Sequence, residues 1–356
     1  MTPCKPLAEL LAECVELAKL APSSHNCQPW RVHFRAEVLP FDGAIEIEIA
    51  PELTINAVPA LQNEMWISIA GFTAALLNLL CAAGVQCQIE PDDSHTKHPS
   101  EFILCVKLTY QPEQANARQF SRLKRLLGER YTHRGPLLST SPLTLHNPVL
   151  TMRVWPTVAL EWHPLAGSKQ QHLSQLVARF AGLDFSHNKV WQETYQFIDF
   201  SKHKSVKKER GFNIQQLMGP LGFVKRRAYQ WLLSPHMMRI LCRFGMADKM
   251  ASELAGLTLR SGQIICLSLK DVQSKMALLS AGELILDTWL QATEQGLAMH
   301  PLSVLLQHSD AKTALSQLLG AQNYPLFIAR VGKSTLAPEF LAQFRYRTHL
   351  SRILTE

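Results

Sequence analysis

From residue 22 to residue 30 the chain reads Pro22-Ser23-Ser24-His25-Asn26-Cys27-Gln28-Pro29-Trp30, which gathers two hydroxyls, two carboxamides, an imidazole and an indole. A polar stretch held between two regular elements aims its groups at a ligand with little entropy left to lose, so it reads as a cofactor-binding loop. A second concentration is Arg130-Tyr131-Thr132-His133-Arg134, where guanidinium forks and a hydroxyl at alternate positions suit a phosphate dianion. The competing reading is a basic helix terminus offsetting its own dipole, which Arg130 alone would satisfy.

The elements around these stretches follow from periodicity. Leu7, Leu10, Leu11, Cys14, Leu17 and Ala18 mark one buried helical face, with Glu9, Glu13 and Glu16 opposite, and Pro22 stops the helix. Beyond the loop Trp30, Val32 and Phe34 alternate with Arg31, His33 and Arg35 as in a half-buried strand, and Asp42-Gly43 leads into a second alternating run at Ile45, Ile47 and Ile49. A helix from about Met65 to Ala83, rich in small residues, precedes strands at 85–89 and 102–108. The rest is expected as a helix over 117–130, strands at 152–155 and 159–162, a helix over 169–180, a strand at 264–269, a helix over 276–295 and a last strand at 326–331. This order is α+β. Ser68-Ile69-Ala70-Gly71 lies in a helix that ends at Gly84, and Ser280-Ala281-Gly282 in one that ends at Gly296, which suggests duplication and fusion.

Ala21 to Trp30 resembles the A-P-S-S-x-N-x-Q-P-W signature of the nitroreductase family, FMN-dependent α+β oxidoreductases, with Cys27 where Thr or Ser is commoner. The resemblance implies a nitroreductase-like fold of two tandem half-units, each a mainly antiparallel sheet flanked by helices, forming an intramolecular pseudodimer. Residues 1–115 would be the first half and 116–356 the second, with an insertion at about 195–255. It also implies FMN as cofactor, with Pro22, Ser23, Ser24, Asn26 and Gln28 beside the ring and Arg130, Thr132 and Arg134 as the R-x-[ST]-x-[RK] phosphate clamp. Gly296 to Ser303 resembles the segment beside the flavin N5, so Met299, Pro301, Leu302 and Ser303 join the cofactor-binding set. Arg345 and Arg347 stand where the family adds a further phosphate cation. His300 is expected as a surface residue of a turn. The loop and the clamp each occur once, so one FMN per chain is expected, and no side chain is assigned a catalytic role because the flavin carries the chemistry.

Other classes are excluded on composition and motif. With 47% apolar and 18% charged residues the chain is that of a folded protein, and neither a signal peptide nor a membrane span is expected. The net charge of +7 comes without a nucleic-acid-binding signature, so no nucleic-acid partner is expected. Eight scattered cysteines without a C-x-x-C pair read as reduced thiols of a cytoplasmic protein. No dinucleotide fingerprint, P-loop, zinc motif or metal-spaced Cys/His cluster occurs. The insertion carries Lys202, Lys204, Lys207, Lys208, Arg210, Lys225, Arg226 and Arg227 among Phe212, Phe223, Tyr229 and Trp231. Three readings compete: a lid over the flavin, a basic amphipathic surface for a membrane or anionic partner, and solvated helices packed on the core. The aromatic residues fall at mixed spacing and form no single stripe, which weighs against the membrane reading. The lid is preferred because a fused chain with one site leaves the opposite surfaces open to extra packing. The expected activity is hydride transfer from NAD(P)H through FMN to a nitroaromatic or quinone-like acceptor, by a monomeric pseudodimer or a homodimer. The alternative is a flavin-sequestering protein whose lid denies the nicotinamide access.

Overall fold

The computed structural model describes residues 7–36, 41–90, 102–139, 141–203, 208–270, 274–320 and 322–355. Lys204, Lys207 and Cys4 lie outside them. Helix α1 (Leu7–Ala18) buries Leu7, Leu10, Leu11, Cys14 and Ala18, the face its spacing dictates. Strand β1 (Trp30–Ala36) pairs antiparallel with β2 (Asp42–Ile49), Trp30 opposite Ile49 and Phe34 opposite Ile45. Helix α2 (Ala60–Ala82) begins before the expected Met65, since Leu61 also joins its buried set. Strands β3 (Val85–Ile89) and β4 (Phe102–Tyr110) follow, and α3 (Ala117–Glu129) packs Leu123, Leu126 and Leu127 into the same core as α1 and α2.

The second sheet uses β6 (Leu160–Leu165), β9 (Gln263–Leu269), β10 (Ala298–Pro301) and β11 (Tyr324–Ser334) in the order β10-β11-β9-β6, all antiparallel, while β5 (Leu137–Leu138) pairs with the end of β11. Residues of β9 alternate between two cores. Ile265 and Leu267 pack with α10 (Lys275–Glu294), whereas Ile264 and Cys266 face α4 (Ser168–Ser186), α9 (Met246–Leu259) and α11 (Ser309–Leu319). Between α4 and α9 come α5 (Asn188–Phe197), β7 (Ile198–Asp199), β8 (Phe212–Asn213), α6 (Gln215–Met218), α7 (Phe223–Leu232) and α8 (Pro235–Leu241). These share a small core of their own around Trp191, Ile198, Phe212, Ile214, Leu233 and Met238. After α12 (Pro338–Ala342) the chain returns to the first sheet, where β12 (Leu354–Thr355) lies parallel to β1, completing the order β12-β1-β2-β4-β3.

The two long helices α2 and α10 cross where the small residues fall. A Cβ on Gly282 would stand 2.3 Å from the Ile67 carbonyl oxygen, and one on Gly71 would stand 3.4 Å from the Gly282 carbonyl, so the backbones touch at this point. Among the described residues α2 alone is long and apolar enough to cross a membrane, but 83% of its apolar window is buried, and it is the core helix of the first sheet.

Residues 152–155, expected as a strand, form none. Asp287 accepts from the amides of Val149 and Leu150 at 2.7 and 2.8 Å, Asn78 from those of Thr151 and Met152 at 2.8 Å each, and Glu283 from those of Val154 and Trp155. Side chains of α2 and α10 thus replace a β-ladder, which satisfies the backbone without a partner strand. Cys27, Cys81, Cys87, Cys105, Cys242 and Cys266 are thiols.

Candidate functional site

A cavity of about 400 Å³ lies at the helix crossing, and Gly71 of α2 and Gly282 of α10 both line it. This is within the size range of small-molecule sites, roughly 300–1,000 Å³. Of the residues expected at a cofactor, Pro22, Ser23, Ser24, Thr132, Arg134, Pro301, Leu302 and Ser303 line it. Three stretches far apart in sequence therefore meet at one ligand-sized space.

The loop is shaped by strain and pinned by hydrogen bonds. His25, Asn26 and Gln28 all have positive φ, at 48°, 56° and 53°. Asn visits this region readily, but for His and Gln it costs roughly 1–2 kcal/mol each, which the surroundings must offset. Ser68 Oγ accepts from the Ser24 amide at 3.2 Å, and Ser23 Oγ accepts from the Gln28 amide at 3.1 Å. Asn26 Nδ2 donates to the carbonyls of Gly211 and Tyr346, and Gln28 donates to the Glu209 carbonyl and accepts from the Thr348 amide. The Asn26 and Gln28 side chains are thus spent on the chain itself. They fix the loop between the insertion and the C-terminal segment, and neither lines the cavity.

The cationic groups divide into two sets. Arg134 lines the cavity with its guanidinium 4.0 Å from the centre of the Phe212 ring, and no carboxylate pairs with it among the described residues. Burial lowers its pKa to about 10, so it stays charged near neutrality. Arg130 is buried behind Trp289, a lining residue, with its guanidinium 4.9 Å from the indole centre. It donates Nη2 to the Leu20 carbonyl, while its Nε and Nη1 have no protein partner. Arg345 donates to the carbonyls of Gly128 and Arg130, and Arg347 to Asn26 Oδ1 and the carbonyls of Leu20 and Tyr346. Burial lowers Arg130 well below the usual guanidinium range, and Arg347 and Arg345 add to it by repulsion; burial and Arg345 bring Arg347 to about 9. Arg345 and Arg347 cap the carbonyl ends of α3 and α1, a structural use. The orphaned nitrogens of Arg130 and the Nε of Arg347 go beyond it, since buried donors are ordinarily paired, and they fit a nearby anion.

The segment around residue 300 differs in part from its expectation. Met299 is fully buried in β10, and its carbonyl accepts from the His133 amide at 3.1 Å, so it braces the clamp from behind. His300 is not a surface turn residue. It sits in β10, lines the cavity, and accepts at Nδ1 from Arg330 Nη2 at 2.7 Å. Burial and the Arg330 charge push its pKa well below the usual imidazole value, so the ring is neutral and its remaining proton is on Nε2.

The lining residues that escaped the sequence reading include Glu64, His25 and Trp289. Glu64 is the single charge in α2, and that isolation in an apolar helix was its signal. It accepts a short hydrogen bond from Ser24 Oγ. Burial raises it to about 7, with Ser24 and Gln307 opposing the rise and the Asp184 charge adding to it. Asp184, itself raised to about 6 by burial, contacts His308 Nε2 at 2.5 Å. His25 also lines the cavity, edge-on to Phe197 at 5.5 Å, and burial together with Arg134 lowers it to about 4. Trp289 gave no signal apart from its place on α10. The opposite wall comes from α5, the insertion and α9 through Trp191, Phe212, Leu217, Met250 and Leu254.

No family model matches the chain. It is 28% identical over 352 residues to the probable NAD(P)H nitroreductase PigM of Serratia sp., an alignment covering 91% of this chain and 88% of that protein. Its fold is similar to the FMN-dependent nitroreductase NfnB of Mycobacterium smegmatis, solved with NADPH, at 13% identity and a TM-score of 0.36, covering 65% of this chain and 96% of that one. For the FMN and NADPH-dependent NfnB of sphigopyxis sp. strain HMH the values are 12%, 0.33, 64% and 93%. Along nine-tenths of its length, then, the chain is similar to a protein named as a probable nitroreductase.

Proposed function

We propose that the chain is an FMN-dependent NAD(P)H oxidoreductase of nitroreductase type that reduces a nitroaromatic or quinone-like acceptor. The observation that carries this reading is the meeting of Ser23 and Ser24 with Thr132 and Arg134 on one cavity at the α2/α10 crossing. Residues 1–115 and 116–356 would then act as the two subunits of a fused dimer, and the single copies of loop and clamp would give one FMN per chain. The relative's name supplies the nicotinamide nucleotide as reductant.

Thr132 and Arg134 would hold the FMN phosphate, with Arg130, Arg345 and Arg347 adding positive potential from behind. Pro22, Ser23 and Ser24, with Pro301, Leu302 and Ser303, would flank the ring, while Asn26, Gln28 and Met299 hold those segments in place. FMN, when bound, supplies a two-electron carrier between nicotinamide and acceptor. The chain's own contribution is proton placement and exclusion of water. Glu64, raised to about 7, keeps a proton in the cavity near neutral pH and is oriented by Ser24. His300, fixed by Arg330, keeps Nε2–H as a donor within the same space. The apolar wall of Trp191, Phe212, Leu217 and Met250 excludes water and accepts a flat apolar partner.

The test is FMN titration of the purified protein followed by anaerobic mixing with NADPH and with NADH. A saturable flavin complex that bleaches is expected. For Arg134→Glu the FMN affinity should fall at least tenfold, because a charge-assisted contact worth about 1.5–3 kcal/mol becomes repulsive. A protein that takes up no FMN would remove the reading, and unchanged affinity in Arg134→Glu would remove the clamp.

A further inference from the structure

The insertion shows the cavity one face and solvent another, and the outer face is composed the wrong way round for a helix that merely covers a core. In α7 the residues at four-residue spacing Phe223, Arg227 and Trp231, with Val224 beside them, point outward. Phe223 is 67% exposed, Val224 77% and Trp231 60%, while Arg226 on the inner side is buried. Phe244, in the turn after α8, is 83% exposed. An ordinary surface helix keeps its apolar stripe inward. The sequence alone conceals this stripe because Phe212 and Tyr229, which blur its spacing, turn inward to the insertion's own core.

The charge of the same region is equally one-sided. No Asp or Glu occurs from Gly211 to Ala247, whereas Lys225, Arg227, Arg239 and Arg243 are all exposed and none pairs with a carboxylate among the described residues. Exposed aromatic side chains set among unpaired cations match the headgroup region of an anionic bilayer, where rings enter the acyl boundary and cations meet phosphate. A second copy of this chain is a poorer occupant. A two-fold contact would oppose this patch to itself, cation against cation with no acid to relieve it. A nucleic acid is poorer too, because bases stack on rings but gain nothing from exposed Val224, Ile240 and Met218, whereas hydrocarbon accepts all of them. We propose that the outer face of α7, α8 and the turn at Phe244 is a peripheral docking surface for an anionic lipid bilayer. The cavity wall at Leu217 and Met218 immediately precedes α7, so docking would bring the mouth of the cavity close to the lipid.

The test is co-sedimentation of the full-length protein with vesicles of phosphatidylcholine alone and with vesicles also containing phosphatidylglycerol. Binding to the anionic vesicles only, reversed by high salt, is expected. Arg227→Ala should weaken it about fivefold, the worth of one cation at an anionic surface, and Phe223→Ser combined with Trp231→Ser should abolish it. These side chains are exposed, so far-ultraviolet circular dichroism should remain that of the parent protein. No binding to anionic vesicles, or binding indifferent to these substitutions, would overturn the proposal. So would a dimer in sedimentation velocity that Trp231→Ser dissolves, or a single-stranded oligonucleotide that competes the protein off the vesicles.

Discussion

Glu64 and His25 line the same cavity, and burial shifts their pKa values in opposite directions, each toward its neutral form. Burial raises the carboxyl from 4.5 to about 7 and lowers the imidazole from 6.5 to about 4, so both are neutral over a shared window. The raised carboxyl binds its proton more tightly folded than unfolded. Its contribution is therefore fully present below pH 4.5 and is lost as pH rises through about 7, a change of up to about 3 kcal/mol. The depressed imidazole behaves in the reverse sense, stabilising above 6.5 and losing that contribution as pH falls toward 4. The two slopes partly cancel in the parent protein. Glu64→Gln removes one of them, so its melting temperature relative to the parent should climb steadily between pH 4.5 and 7; a flat difference across that range would mean Glu64 ionises freely. At this scale the sequence is half legible. Ser23, Ser24, Thr132 and Arg134, singled out by type and spacing, do line the cavity. Asn26 and Gln28 belong to the same signature, but their amides bond the chain at residues 209, 211, 346 and 348, which no local pattern encodes.

The elements are more legible than the residues because periodicity reports burial directly. The helices at α1, α3 and α10 and the strands β1, β2, β9 and β11 fall close to their expected positions. Residues 152–155 fail for a physical reason: buried apolar side chains look like a strand whether their amides are met by a ladder or by Asn78 and Glu283. The crossing of α2 and α10 is the element-level feature with the sharpest consequence. Gly282→Ala would drive a methyl group to 2.3 Å from the Ile67 carbonyl and 2.7 Å from Ala70 Cβ, both on a rigid helix. It should destabilise by about 1–3 kcal/mol, and Gly71→Ala, with 3.4 Å available, by much less. Urea unfolding of the pair checks this, and equal losses would mean that the helices separate easily.

At the scale of the molecule the two sheets are interlocked rather than adjacent. The first sheet borrows β12 from residues 354–355, the loop borrows Tyr346 and Thr348, and the carbonyls of Leu20 and Gly128 borrow Arg347 and Arg345. Deleting residues 345–356 should therefore lower the thermal midpoint and, on the proposed function, release FMN, although none of the described residues 345–355 lines the cavity. A truncated protein that kept its cofactor would show the loop to be self-supporting. The order of parts suggests a division into halves, but it carries no sign of this exchange, which joins residues more than two hundred positions apart and leaves no periodic trace.

That borrowing also orders events in time. A chain leaving the ribosome has made residues 22–28 more than three hundred residues before Tyr346 and Thr348, so through that interval the loop lacks two of the partners that hold its left-handed backbone. Long-range contacts of this kind form late. On the proposed function, flavin uptake would accordingly wait for residues 346–348, and yellow colour would mark the moment the loop meets them.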